Sequence, residues 1–133
     1  MVRPQGFPPA LRIRRGKEFD RVFRAGGRAA DALLAVHALP NGGPHPRLGL
    51  AVGRALGGAV VRNRVKRLLR EAFRIRRGEL PPAHDLVVVA RGTDPAQWTR
   101  AAAEASLLAL APEAAARAGR GRGGEGGTGR PRR

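Results

Sequence analysis

The chain contains no cysteine and few groups that could form an active site. The absence of cysteine excludes disulfide bonds and thiolate metal sites. The ten carboxylates, three histidines and single serine do not stand at spacings typical of a two-metal nuclease, a zinc site or a nucleophile beside its base. The glycine pairs do not match a phosphate-binding loop or a dinucleotide fingerprint. The residues therefore predict no catalytic residue and no metal site, which favours a binding protein over an enzyme that acts alone.

Long apolar runs are also absent. No run approaches the length of roughly 20 residues that spans a membrane, and the first sixteen residues lack the continuous apolar segment of a secretory signal. We therefore expect a cytoplasmic protein without a membrane partner. A basic protein of the membrane surface is a rival interpretation, but it would need bulky aromatic side chains opposite the cations.

Positive charge is what the chain has in excess. The sequence of 133 residues carries 26 Lys and Arg against 10 Asp and Glu, a formal net charge of +16. Only Lys17 and Lys66 are lysine, so nearly all of this charge is on guanidinium groups, which pair bidentately with phosphate and stack on bases. A length of this size favours one domain, and the expected partner is a nucleic acid.

The segment 57–77, GGAVVRNRVKRLLREAFRIRR, concentrates this charge on one predicted helix. At about 100° per residue it has one apolar face and one cationic face. The apolar face is predicted to contain Val61, Val65, Leu68, Ala72 and Ile75, with Leu69 and Phe73 at its margin. From Arg62 to Arg77 there are eight basic residues and a single acid, Glu71. Because like charges repel at i,i+4, this imbalance favours a helix that binds a polyanion over a merely solvated one.

The rest of the pattern predicts an α+β domain. Phe19, Val22 and Phe23 fit a short helix that ends at Gly26 and Gly27. Short apolar runs at 33–39, 47–53 and 85–91 predict strands, and Asp94 followed by Pro95 predicts the start of a last helix that ends near Leu110. Composition predicts a flexible arm at 1–10, the folded domain at 11–112 and a disordered Gly/Arg-rich tail at 113–133.

One string, RLGLAVGRALGGAVVRNRVKRLLREAFR at 47–74, resembles the protein component of bacterial ribonuclease P. That family is marked by an R-N-R triplet, here Arg62 to Arg64, followed on the same helix by x-K-R-x-x-R-E-x-F-R. EFDRVFRAG at 18–26 resembles its first helix and DLVVVAR at 85–91 its last strand. The resemblance implies a small αβββαβα sandwich similar to a ribosomal-protein domain, with a left-handed βαβ crossover through the R-N-R helix.

The resemblance also implies a function. The family partners a catalytic RNA in a 1:1 protein–RNA complex, and the holoenzyme is an endoribonuclease that removes the 5′ leader of precursor tRNA. The Mg²⁺ ions are expected to be held chiefly by the RNA, and the protein is expected to supply no catalytic side chain. The residues implied to contact RNA are Arg62, Asn63, Arg64, Lys66, Arg67, Arg70 and Arg74.

A cleft for the single-stranded leader is implied at Phe19, Phe23 and His37, the last at a position where the family often has an aromatic residue such as Tyr. Two alternatives remain open for the phenylalanines, which either fill the core or form a stacking platform worth roughly 1–3 kcal/mol per base. Two alternative functions also remain. A ribosomal or rRNA-binding assembly protein would share the fold and the charge, and a stand-alone nuclease would need the clustered carboxylates that the sequence lacks.

Overall fold

The computed structural model describes residues 11–13 and 16–120, with only the backbone of residues 119 and 120. Its elements follow the predicted order αβββαβα. They are α1 (Lys17–Ala25), β1 (Gly27–Ala30), β2 (Leu34–Pro40), β3 (Arg47–Ala51), α2 (Ala59–Arg76), β4 (His84–Ala90) and α3 (Arg100–Arg120). Short 3₁₀ turns at Arg54–Leu56, Arg77–Glu79 and Pro95–Gln97 connect some of them.

The four strands form one mixed sheet in the order β1-β2-β4-β3. The pairs β1–β2 and β2–β4 are antiparallel, whereas β3 and β4 are parallel neighbours. Parallel neighbours need a crossover connection, and α2 supplies it, so the crossover that the resemblance implies to be left-handed is β3-α2-β4. At the outer side of β3 the chain segment 11–13 adds a short parallel bridge, in which the Ile13 amide donates to the Leu48 carbonyl at 3.0 Å.

Both faces of the sheet are covered, because the two central strands are apolar on both sides. Along β2 and β4 the even-numbered residues pack into the main core with α2 and α3. The odd-numbered Leu39, Val87 and Val89 face α1, where Val22 and Ile13 complete a second, smaller apolar cluster. The sheet therefore lies between a helix pair on one side and the single helix α1 on the other.

The apolar face of α2 differs from the predicted one. Its fully buried residues are Val65, Leu69, Ala72 and Phe73, at the i, i+4, i+7 and i+8 positions of a helix stripe. Leu68 is only partly buried, and Ile75 is 41% exposed. Apolar residues cover more than one face of this helix, and periodicity alone does not say which of two overlapping stripes contacts the core. The stripe with the bulky Leu69 and Phe73 fills the interior.

The predicted end of the last helix near Leu110 is wrong. Helix α3 continues through Pro112 to Arg120, so residues 113–120 of the predicted tail are helical, and Ala114 is fully buried. The reason is a close approach to β1: a Cβ atom on Gly27 would lie 2.2 Å from the Ala114 carbonyl oxygen. Because Gly27 of β1 has no side chain, α3 can pack closely on this strand. This packing extends α3 past Pro112, although the proline removes one backbone hydrogen bond. The predicted arm at 1–10 and the tail residues 121–133 lie outside the described residues.

The short strand β1 was not predicted from the residue pattern, since its sequence GRAA has none of the branched or aromatic residues typical of strands. Asp94 caps as predicted, but it caps the 3₁₀ turn Pro95–Gln97 with a capping box, and α3 begins only at Arg100, six residues after Asp94.

One buried carboxylate ties the strands together at one end of the sheet. Asp85 on β4 is fully buried and accepts two hydrogen bonds of 2.8 Å from the guanidinium of Arg47 and one of 2.9 Å from the Asn41 amide. Burial alone would raise the pKa of Asp85, but these hydrogen bonds and the charge of Arg47 outweigh it and hold the pKa below its ordinary value. The pair joins β3 to β4 and fixes the turn before β3.

A substitution pair tests which stripe of α2 is in the core. Leu69→Ala is expected to lower the free energy of unfolding by about 2–5 kcal/mol, because it leaves a cavity among fully buried neighbours. Leu68→Ala is expected to cost clearly less, because this side chain keeps part of its surface in water. Urea unfolding of both variants measures the difference, and an equal or larger loss for Leu68→Ala would contradict the observed orientation of α2.

Candidate nucleic-acid interface

The seven predicted RNA-contacting residues all lie on α2, and the structure brings them to its outer surface. Asn63, Arg64, Arg67, Arg70 and Arg74 are exposed, and Arg62 and Lys66 are partly buried. The surface follows from the sequence, because the cations alternate with the apolar stripe at helical spacing.

The two arginines of the R-N-R triplet both bind backbone carbonyls. Arg62 donates from Nε to the Gly57 carbonyl at 3.1 Å, at the entry of α2, where Gly57 has φ 137° and so needs a glycine. Arg64 donates from Nη2 to the Trp98 carbonyl at 3.1 Å, in the loop that precedes α3. Asn63 between them is exposed. These bonds hold the first turn of α2 in place while leaving the remaining N–H groups of both guanidinium groups for a ligand.

The charge of α2 is not uniform along its length. Arg74 pairs with Glu71 at 2.6 Å, and Arg76 bonds to Glu79 and to Glu104 on α3. The segment from Arg62 to Arg70 contains five cations and no acid. Arg74, although predicted as an RNA contact, therefore has an internal counter-ion, and the uncompensated positive charge lies in the first three turns of the helix.

A groove of about 190 Å³ opens where α2 passes the edge of β3. Its lining includes Lys66 and Arg70 of α2, Phe19 of α1 and Arg12. Burial lowers the pKa of Arg70, and so do the positive charges of Arg12 and Arg67. A site where cations repel each other favours an anion.

Gly49 on β3 permits this groove. A Cβ atom at this position would lie 2.8 Å from Cζ of Phe19, so the ring of Phe19 lies directly against the strand backbone. Sequence reasoning missed Arg12 and Gly49 as parts of the site, because nothing in the local pattern shows that α1, β3 and α2 meet here.

Helix α1 packs on the other face of the sheet. Phe19 and Phe23 are each partly buried and pack against the small cluster of Ile13, Val22 and Val87. Their ring centroids are 6.2 Å apart, and the ring planes are inclined by 73°. The two rings thus pack against the core and keep part of their surface accessible, a position compatible with either of the two alternatives.

His37 lies between helix α1 and the sheet rather than on the exposed surface. Its side chain is only 2% exposed, and its ring is 4.8 Å from that of Phe23 in an edge-to-face arrangement. The prediction that His37 lines the cleft as a stacking residue needs correction, because no base can reach a ring that Phe23 covers. Burial, with the nearby charge of Arg28, lowers the pKa of His37 to about 4. His37 therefore supports Phe23 as a neutral ring, and its Nε2 has no hydrogen-bond partner among the described residues.

Beside α1 the sheet presents a row of three alanines and one valine, which we call the alanine row. The pairing register aligns Ala30, Ala35, Val89 and Ala51 across the four strands on the face that α1 covers. Three of them, Ala30, Val89 and Ala51, are partly exposed. Short side chains next to two aromatic rings are the lining that we expect of a shallow cleft across the sheet, which would meet the groove at β3.

No three His, Cys, Asp or Glu side chains come close enough to hold a metal ion within the described ranges. No helix in the same part of the chain is long and apolar enough to cross a membrane. The chemistry that the described site can perform is recognition of an extended anionic ligand with flat groups, by cations and aromatic rings.

Comparison with known proteins gives a consistent result. Residues 7–111 match the family described as Ribonuclease P. A ribonuclease P protein component of Desulfovibrio desulfuricans is 46% identical over 102 residues, which cover 73% of this chain and 78% of the relative. The structure of the RNase P protein from Thermotoga maritima matches with a TM-score of 0.68 at 31% identity, over 74% of this chain and 92% of that one. The Staphylococcus aureus RNase P protein matches with a TM-score of 0.65 at 33% identity, over 73% and 88% of the two chains.

The contact between Arg64 and Trp98 leads to a prediction with two readouts. Arg64→Ala is expected to lower the free energy of unfolding by about 1 kcal/mol, because it removes a partly buried hydrogen bond, and to weaken binding to an RNA ligand. Arg67→Ala is expected to weaken RNA binding alone. Thermal unfolding followed by fluorescence of Trp98, the only tryptophan, measures the first effect, and identical stability of the two variants would show that the bond to Trp98 contributes nothing.

The burial of His37 predicts a pH dependence of stability. The pKa is about 4 in the folded protein and 6.5 for an unperturbed histidine, so the unfolded chain takes up the proton first as pH falls. The contribution of neutral His37 to the free energy of unfolding is therefore fully present above pH 6.5. It decreases towards pH 4, by about 3 kcal/mol in total. Asp85, whose pKa is lowered from 3.8, contributes only below this window. Urea unfolding between pH 7 and 4.5 tests this, with His37→Phe as the control whose curve is expected to be flatter.

Proposed function

The chain belongs to the ribonuclease P protein family, and we propose that it binds the catalytic RNA and the 5′ leader of precursor tRNA. It is a component of an endoribonuclease holoenzyme that processes tRNA. In this proposal the protein binds and orients two RNA segments, and removal of the leader gives the mature 5′ end of the tRNA.

The outer surface of α2 supports binding to the RNA subunit. The cations from Arg62 to Arg70 have no acid among them and occupy one continuous helical surface. The carbonyl bonds of Arg62 and Arg64 hold this surface in a fixed orientation before RNA arrives. A preorganised array loses less side-chain entropy on binding phosphates than flexible side chains would.

The groove between α1 and α2 is the observation that carries the proposal for the leader. It places the partly exposed ring of Phe19 opposite Lys66 and Arg70, so that one nucleotide can stack its base and pair its phosphate at the same place. Stacking and charge recognition tolerate any base sequence, which suits a protein that meets many different leaders. The adjoining cleft over the alanine row continues this path across the sheet.

Catalysis is proposed to reside in the RNA subunit. Mg²⁺ promotes phosphodiester hydrolysis by polarising the phosphate and activating water, and we propose that RNA phosphates hold it. The described protein residues do not fit such an ion, because no three metal-binding side chains are grouped among them and most of their carboxylates are paired with arginine or bonded to backbone amides. The protein is expected to act in the cytoplasm as one copy for each RNA.

Cleavage assays separate this function from its alternatives. The purified full chain is incubated with precursor tRNA and Mg²⁺, with and without the catalytic RNA. We expect stimulated 5′ cleavage at low Mg²⁺ only when the RNA is present. A ribosomal or rRNA-binding protein would give no stimulation, and cleavage by the protein alone, abolished by substitution of one acid, would indicate a nuclease.

The leader cleft makes a separate prediction about substrates. Phe23→Ala in the holoenzyme is expected to weaken binding of precursor tRNA by roughly 1–3 kcal/mol, because a stacking surface is lost, and to leave mature tRNA, which has no leader, unaffected. Val22→Ala is a matched control, since it removes a fully buried side chain from the same helix and should act on both RNAs alike. Equal losses for the two RNAs with Phe23→Ala would refute the cleft.

A further inference from the structure

Arg28 is an exposed cation at the far end of the cleft that neither the family motif nor the charge pattern singled out. It lies on β1, directly opposite His37 in the pairing register. Residues paired in this way project from the same face of a sheet, and His37 faces α1 because its ring touches Phe23. Arg28 therefore projects from the face that carries the cleft, next to the ring of Phe23. Its charge is close enough to contribute to the lowered pKa of His37.

The charge of Arg28 has no counter-ion among the described residues. Two acids on segments next to β1, Asp31 directly after the strand and Glu113 on α3, which packs on it, are already engaged. Asp31 accepts hydrogen bonds from the amides of Leu33 and Leu34 and from Ser106, and Glu113 pairs with Arg117 at 2.8 Å. The backbone of Arg28 is fixed, since its carbonyl accepts a hydrogen bond from Arg117. A rigidly placed strand thus presents a guanidinium group to solvent beside an aromatic ring.

Each end of the cleft therefore combines an aromatic ring with a cation. At β3, Phe19 lies beside Lys66 and Arg70. At β1, Phe23 and Arg28 share His37 as a neighbour. Three strand spacings separate β1 from β3 in the sheet, a distance of about 14 Å. An aromatic ring with a cation matches one nucleotide, and this arrangement occurs twice across the sheet.

We propose that Arg28 is a second phosphate-binding residue of the leader cleft, so that single-stranded RNA crosses the sheet between Lys66 and Arg70 at β3 and Arg28 at β1. This inference rests on the proposed function. It adds that two separate leader phosphates are bound, one at each end of the cleft, and that the strand between them lies over the alanine row.

Neutralising single phosphates tests the proposal directly. The holoenzyme is bound to precursor tRNAs in which one leader linkage at a time is an uncharged methylphosphonate. With the wild-type protein we expect two sensitive positions, each weakening binding about three- to tenfold. In Arg28→Ala one of these positions loses its sensitivity and the other keeps it, and in Arg70→Ala the reverse holds. Such a double-mutant cycle isolates the pairwise contact from general effects of charge.

The controls separate the possible outcomes. Arg77→Ala removes the same charge from an exposed site beyond the end of α2 and should preserve both sensitive positions. Arg28→Lys should retain part of the sensitivity that Arg28→Ala loses. If Arg28→Ala weakens precursor and mature tRNA equally, or leaves both positions sensitive, Arg28 does not bind the leader and the inference fails while the proposed function stands. If wild-type holoenzyme does not distinguish precursor from mature tRNA, the proposed function itself fails.

Discussion

Strand β4 imposes the constraint on which the rest of the structure depends. It is the only described strand that pairs on both edges with long strands, antiparallel to β2 and parallel to β3, and its residues 86–88 are fully buried. A strand that is apolar on both faces must be covered on both faces. Helices α2 and α3 cover one side with the larger core, and α1 must cover the other. The buried ion pair of Asp85 and Arg47 then fixes the register at one end of the same strand.

The short length of α1 leaves part of that face of the sheet without a covering helix, and this is where we propose the leader site. Nine residues of helix extend for about 14 Å, enough to cross the sheet once but not to cover its whole face. Glu18 and Arg21 lie towards the charged row of Arg47 and Asp85, and Val22 points into the sheet. Phe19 and Phe23 are then left on the opposite flank, on the same face of the sheet as the alanine row. The same aromatic side chains that seal the smaller core therefore present their remaining surface to the cleft.

The sequence predicts the local features well and the contacts between elements poorly. Periodicity located α1, α2 and the strands β2, β3 and β4, because each has a strong local pattern. It could not locate the end of α3, which depends on the absence of a side chain at Gly27 on another element, nor the orientation of α2, where two apolar stripes overlap. His37 shows the same limit within the site. The family resemblance placed it in the cleft, but only packing of α1 over β2 shows that Phe23 covers it.

The distribution of acids explains why the cationic surface remains free for a ligand. Of the carboxylates in the described part of the chain, Asp85, Glu71, Glu79, Glu104 and Glu113 are each paired with an arginine, and Asp31 is bonded to backbone amides and a hydroxyl. These pairs lie at the ends of the sheet, late in α2 and along α3, where they stabilise the fold.

The first three turns of α2 and the β1 end of the cleft contain no such pair among the described residues. Because the charges of Arg12 and Arg67 repel that of Arg70, a phosphate bound there, as we propose for RNA, would remove an unfavourable interaction as well as add a favourable one. The charges that hold the fold together are thus separated in space from those that we propose to bind RNA, and the proposed binding does not require the internal ion pairs to break.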